Sequence, residues 1–135
     1  SADLDAMAAY VASLNKFDPS PYRLSTGALT NSGNLGKAIF ATQCMNCHGG
    51  VDFTFSQTLG LLNVGTLLPS SGKRLGGNLS GIDVPTLRGV WQTAPYLHDG
   101  RAASIEAAVK AHTNLILTTT EVTRVSDYVR QLGSE

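Results

Sequence analysis

The two cysteines of this 135-residue chain stand three apart in "ATQCMNCHGG" (41–50), as Cys44 and Cys47, with His48 directly after the second. Thiols so spaced can close a disulfide, form half a zinc site, act as a thioredoxin-like redox pair or anchor a prosthetic group. Zinc normally takes four ligands, whereas the chain has three histidines and no second cysteine pair. A thioredoxin-like pair sits in a strand, turn and helix context. Here "NLGKAIFATQC" places Leu35, Ala38, Ile39 and Thr42 on one side of a helix instead.

The histidine discriminates among the remaining readings. On a helical turn, cysteines at i and i+3 point the same way and can form thioethers to two haem vinyl groups, while an adjacent imidazole reaches the iron. The spacing therefore predicts one covalent haem c held through Cys44 and Cys47, with His48 as a metal ligand. A haem-free domain that cycles Cys44 and Cys47 through a disulfide is the competing chemistry.

The elements that must position these residues read as helices joined by long irregular stretches. "ADLDAMAAYVASLN" carries Leu4, Met7, Val11 and Leu14 at spacings of 3, 4 and 3, an apolar face that predicts a helix buried against something. Residues 15–33 hold two prolines, two glycines and several hydroxyl side chains, the composition of a linker or an irregular wrap. A haem-anchoring helix is expected over 34–48, capped by Asn34 or Ser32. Glycine-rich residues 49–84 read as a long loop, of the kind that wraps a cofactor. A short helix from Ser104 comes next. The last helix enters through a Thr118–Glu121 capping box and carries Val122, Val125, Val129 and Leu132. Laying residues 2–14 on 120–132, an offset of 120 − 2 = 118, superposes Tyr10 on Tyr128, Val11 on Val129 and Leu14 on Leu132.

The bulk properties set limits. The length fits one domain, and 42% hydrophobic residues suffice for a core. Ten basic and ten acidic side chains cancel, so no strong field invites nucleic acid. No stretch reaches the roughly 18 apolar residues of a membrane helix, so no membrane insertion by this chain is expected. A start at Ser1 without Met or signal peptide reads as a mature product or an excised piece.

Gly36, Phe40, Cys44, Cys47 and His48 together resemble the c-type cytochromes, in which a glycine and, four residues on, an aromatic precede CxxCH. The resemblance implies that this helix crosses the C-terminal one, with Val125 and Tyr128 on the facing side. "LNVGT" with the later stretch "DVPTLRGVWQTAPYLHDGRAASIEAAVKAH", within residues 62–112, is similar to the C-terminal haem domain of bacterial dihaem cytochrome c peroxidases. The two resemblances imply an all-α, class I-like cytochrome c fold, with long loops wrapping one covalent haem in residues 34–135. Residues 21–33 would be a linker. Residues 1–20 would be an N-terminal helix, the tail of a preceding cytochrome domain or a native extension.

The same resemblances bear on function. Peroxidase chemistry in that family relies on a partner haem and an openable iron site, and this chain has one CxxCH. The expectation is electron transfer by one domain of a larger multi-haem protein, periplasmic or extracellular, serving a redox partner protein or a neighbouring haem domain. A peroxidase-like or ligand-sensing domain with a displaceable distal ligand is the alternative.

The distal ligand comes from few candidates. Met45 lies between the anchoring cysteines and cannot pass round the ring, and Met7 reads as core. His98 in "PYLHDG" reads as a hydrogen-bonded turn residue. In the related pattern the distal methionine ends the segment that here reads "SIEAAVKAH", which assigns His112. Ile105, Ala108, Val109 and His112 also share one helical face. Ligation by His48 and His112 would hold the iron six-coordinate, the state suited to electron transfer. Arg88 is the first candidate to offset the haem propionates, with Lys73, Arg74 and Arg101 behind it. Trp91, Tyr96 and Leu97 are the expected wall of the site.

Overall fold

The computed structural model describes residues 1–134. Five helices carry most of the regular structure: α1 (Ala2–Ser13), α2 (Asn31–Gln43), α3 (Met45–His48), α4 (Ile105–Lys110) and α5 (Thr119–Val129). Two short 3-10 turns, Pro69–Ser71 and Val90–Gln92, and a hairpin of β1 (Lys73–Arg74) with β2 (Gly77–Asn78) interrupt the stretch between α3 and α4. The chain is thus predominantly helical, with that hairpin as its sheet. No helix among the described residues is long and apolar enough to cross a membrane.

The fold is organised where α2 crosses α5. Gly33, Gly36 and Phe40 form the buried face of α2. A β-carbon on Gly36 would run into the Arg124 carbonyl and the Tyr128 side chain, so the missing side chain is what lets the two backbones approach. One turn later Phe40 meets Tyr128 edge to face at 5.2 Å, and Phe53 at 6.2 Å. Val125, Val129 and Leu132 from the C-terminal end and Ile105 from α4 complete the core.

Helix α2 starts three residues earlier than the expected 34. Its cap is Thr30, whose hydroxyl accepts from the Gly33 amide at 3.0 Å, rather than Asn34 or Ser32. Tertiary bonding selects this cap. Gln131, 1% exposed, accepts the Thr30 amide at 2.9 Å and donates to its hydroxyl at 3.1 Å, and Ser32 instead donates to Asp127. The Thr118–Glu121 box does cap α5, with Glu121 accepting the Thr118 amide at 2.8 Å.

Of the two readings of the stretch before α2, a linker or an irregular wrap, residues 20–30 take the second: Ser20 donates to the Arg130 carbonyl at 2.6 Å and Arg23 to that of Gln131 at 2.8 Å. Residues 31–33 belong to α2. Helix α1 forms as its pattern predicts, capped by the Ser1 hydroxyl, yet it buries no residue. Leu4, Met7, Val11 and Leu14 are each between 59% and 63% exposed, so the apolar face has no cover among the described residues.

Replacing Gly36 with alanine must push α2 and α5 apart. The expected cost is about 1–3 kcal/mol, the range for overpacking a close contact. Gly60→Ala, where an added methyl meets nothing within 4 Å, should be near neutral in the same urea unfolding series.

Candidate haem site

The break at the end of α2 creates the first wall of the site. Cys44 ends that helix with its amide on the Phe40 carbonyl at 2.9 Å, and one further turn, α3, carries Cys47 and His48. All three line a cavity of about 480 Å³, within the roughly 300–1,000 Å³ of typical cofactor sites. Val84, Pro85 and Leu87 come from the loop before the second 3-10 turn, Val109 and His112 from α4 and its C-terminal end, and Val125 and Val129 from α5. Such a lining is largely aliphatic, with a few polar groups converging on it.

Backbone carbonyls orient both imidazoles. The turn after the motif brings Phe53 back, with φ of 53°, so that its carbonyl lies 3.2 Å from His48 Nδ1. His112, just past the end of α4, has its Nδ1 2.8 Å from the Ala108 carbonyl of that helix. A carbonyl only accepts, so each neutral ring carries its proton on Nδ1 and keeps the Nε2 lone pair for a ligand. Burial lowers the His48 pKa, and proximity to His112 adds to the effect. The Phe53 and Pro85 carbonyls oppose it. The balance favours the neutral, ligating form.

Burial, and behind it neighbouring Cys47, push the Cys44 thiol up to about 11. A redox-active thiol pair needs a lowered value, so this environment disfavours the haem-free disulfide reading. No group of three or more His, Cys, Asp or Glu among the described residues could hold a metal ion, which disfavours zinc.

Other predicted residues divide sharply. Tyr96, Leu97 and His98 line the cavity, in a turn closed by the Tyr96–Ala102 bridge in which Leu97 takes a φ of 70°. His98 Nε2 is already engaged by the Ser71 hydroxyl at 2.8 Å. Trp91 does not line the cavity. It faces a second, smaller one of about 210 Å³ beside Tyr22, whose ring it meets edge to face at 6.4 Å. Arg88 is also outside the lining: it donates to the Val51 carbonyl at 2.7 and 3.0 Å and to that of Gly133 at 2.9 Å, and pairs with Asp52. Its fork clamps the loop after CxxCH to the end of the chain. Lys73 and Arg74 lie exposed in the hairpin.

Sequence reasoning missed two groups. The Phe53 carbonyl carries no side-chain signature, so no residue type announces it. Thr66 is 1% exposed and lines the cavity, with a hydroxyl that has no hydrogen-bond partner among the described residues. Its only sequence signal is its place in "LNVGT". Two thiols and two imidazoles lining one cavity, with one unpaired buried hydroxyl beside them, form a donor set that fits a haem c.

Comparison with known proteins agrees with this chemistry. Residues 81–114 match the family model described as RoxA-like, cytochrome c-like. The fold is similar to that of hydrazine synthase from Kuenenia stuttgartiensis, with a TM-score of 0.65 and 22% identity over 86% of this chain and 51% of that one. It is also similar to a MauG-like protein associated with microbial copper homeostasis, with a TM-score of 0.61 and 18% identity over 82% of this chain and 49% of that one. No curated protein sequence matches. The match to the cytochrome c-like model covers that segment alone, the two structures share the fold, and the chain spans about half the length of each.

Arg88→Ala should therefore act on stability and leave the haem alone. The expected loss is about 1.5–3 kcal/mol, the range for hydrogen bonds to a charged group, with the reduction potential unchanged. Arg88→Lys keeps the charge but loses the fork, so it should recover only part of the unfolding midpoint.

Proposed function

We propose that this chain is an electron-transfer unit with a class I-like cytochrome c fold. One haem c is held through Cys44 and Cys47, with His48 and His112 as the two iron ligands. The observation that carries this is that both imidazoles line one cavity, each with its Nδ1 against a backbone carbonyl. Bound there, the haem supplies a one-electron couple. The chain's own contribution is to hold both imidazoles in place through their Nδ1 contacts with backbone carbonyls and to exclude water with Val84, Val109, Val125 and Val129. Filled axial positions favour electron transfer over peroxide or dioxygen chemistry. The setting that suits such a unit is a multi-haem protein in the periplasm or outside the cell, exchanging electrons with a neighbouring haem domain or a redox partner protein.

Ligand replacement tests the reading. His112→Ala should turn the ferric spectrum from low-spin to high-spin and admit cyanide, while His98→Ala should leave it low-spin. The reverse outcome moves the ligand to His98. If the unaltered protein is already high-spin or binds carbon monoxide freely, the ligand-sensing or peroxidase-like reading replaces this one. Thioether donates less strongly than imidazole, so His112→Met should raise the reduction potential by on the order of 100 mV.

We further infer that α1 belongs structurally to another haem unit of the same protein. With the offset of 120 − 2 = 118, Leu4, Met7, Tyr10, Val11 and Leu14 fall on Val122, Val125, Tyr128, Val129 and Leu132. Those five are at most 6% exposed under α2, whereas their counterparts in α1 are 59–65% exposed. The same apolar pattern calls for the same cover, a helix built like α2 with a glycine at the crossing. In this chain that helix is already taken by α5. In the full-length protein, Val11→Asp with Leu14→Asp should therefore strip stability from a unit other than the one bearing Cys44. In the isolated chain the pair should leave the unfolding midpoint unchanged. Loss of stability in the isolated chain, or a dimer of it that the pair abolishes, would overturn this assignment.

A further inference from the structure

Thr66 is held against the cavity wall more firmly than ligation or anchoring requires. Gly65, with φ of 82°, lies so close to the Thr113 side chain that a β-carbon would collide with it, and the Thr113 amide donates to the Val64 carbonyl at 3.0 Å. On the other side Arg101 Nη2 donates to the Thr66 carbonyl at 2.6 Å, while its Nη1 is paired with Asp99 at 2.6 Å. The residue is 1% exposed, lines the cavity and leaves its hydroxyl unpaired among the described residues. Burying a hydroxyl without a partner is costly, and nearly all such groups in folded proteins are satisfied.

The chemistry of haem c restricts what can satisfy it. The pyrrole nitrogens are bound to iron and the vinyl groups are consumed by the thioethers. Only the two propionates remain as hydrogen-bonding groups. A carboxylate accepts from a hydroxyl in a short, charge-assisted bond, and it gains from nearby positive charge. Thr66 offers the hydroxyl, and the guanidinium bonded to its own carbonyl offers the charge. We propose that the Thr66 hydroxyl donates to a haem propionate and that Arg101, rather than Arg88, is the cation on that side. Arg88 has no part in this corner, since its guanidinium is held by Val51, Gly133 and Asp52, whereas that of Arg101 is bonded to Thr66 itself. The assignment rests on the haem c reading above and adds to it the end of the cavity to which the carboxylates point.

The test uses the haem-loaded protein carrying Thr66→Val, a near-isosteric change that removes the hydroxyl, beside Thr66→Ser, which keeps it. Resonance Raman scattering reads the propionate bending band, which responds to hydrogen bonding, and potentiometry reads the iron. With the hydroxyl gone, the Raman band should shift. The less dissipated carboxylate charge should favour ferric iron, so the potential should fall. Thr66→Ser should restore both. Should Thr66→Val fail to take up haem, Thr66→Ala against Thr66→Ser isolates the same single hydroxyl. An unchanged band and potential in the valine or alanine variant overturns the proposal, as does a serine variant that matches it. A change in the low-spin axial spectrum without a Raman shift also overturns it, because Thr66 would then be positioning His112 through Gly65 and Thr113. Protein without covalent haem at all would instead defeat the underlying haem c reading, and the spectrum of the unaltered protein separates that failure from the others.

Discussion

Everything at the cofactor site depends on one close contact, where α2 and α5 cross with Gly36 against the Arg124 carbonyl. A glycine there converts two amphipathic helices into a tight pair, because the backbones meet without an intervening side chain. Phe40 and Tyr128 then stack just beyond the crossing, and Gln131 locks the start of α2 to the end of α5 through Thr30. The end of α2 is thereby fixed in space. Cys44 and the turn bearing Cys47 and His48 inherit that position, and Val125 and Val129 of α5 become the facing wall.

The rest of the site is assembled by irregular chain and by α4, and it is held by main-chain polar groups. Phe53 and Ala108 offer carbonyls to the imidazoles, Thr54 donates to the Val84 carbonyl at 2.6 Å, and Phe55 donates its amide to Cys47 at 3.0 Å. Loops fixed this way can present groups at angles that helices cannot reach. Each bond also satisfies a peptide group that would otherwise be stranded in a largely apolar cavity wall.

Arginines divide the remaining labour by geometry rather than by net charge. Arg88 joins the loop after CxxCH to Gly133, while Arg130 pairs with Glu106 of α4 and Asp127 of α5 and covers the Tyr22 ring at 5.5 Å. Both sit at junctions where three parts of the chain meet. A guanidinium fork can bond several carbonyls or carboxylates at once, which a lysine ammonium cannot do with the same fixed geometry. Arg101 joins the Thr66 carbonyl to the Asp99 carboxylate.

Local chemistry was legible in the residues themselves. Two cysteines three apart with a histidine after them, a glycine four before an aromatic, the capping box of α5 and the apolar stripe of α1 all work through spacings within a few turns. What the one-dimensional pattern could not hold was direction. Arg88 and Arg101 look alike in sequence, and only packing commits one to Val51 and Gly133 and the other to Thr66 and Asp99. Trp91 and Tyr96 lie five apart, yet Trp91 faces the smaller cavity beside Tyr22. The Thr30 cap was decided by Gln131, about a hundred residues away. The stripe of α1 predicted a helix correctly but not its partner, because a hydrophobic face states the need for cover, while only the arrangement of neighbouring elements determines whether and by what it is covered.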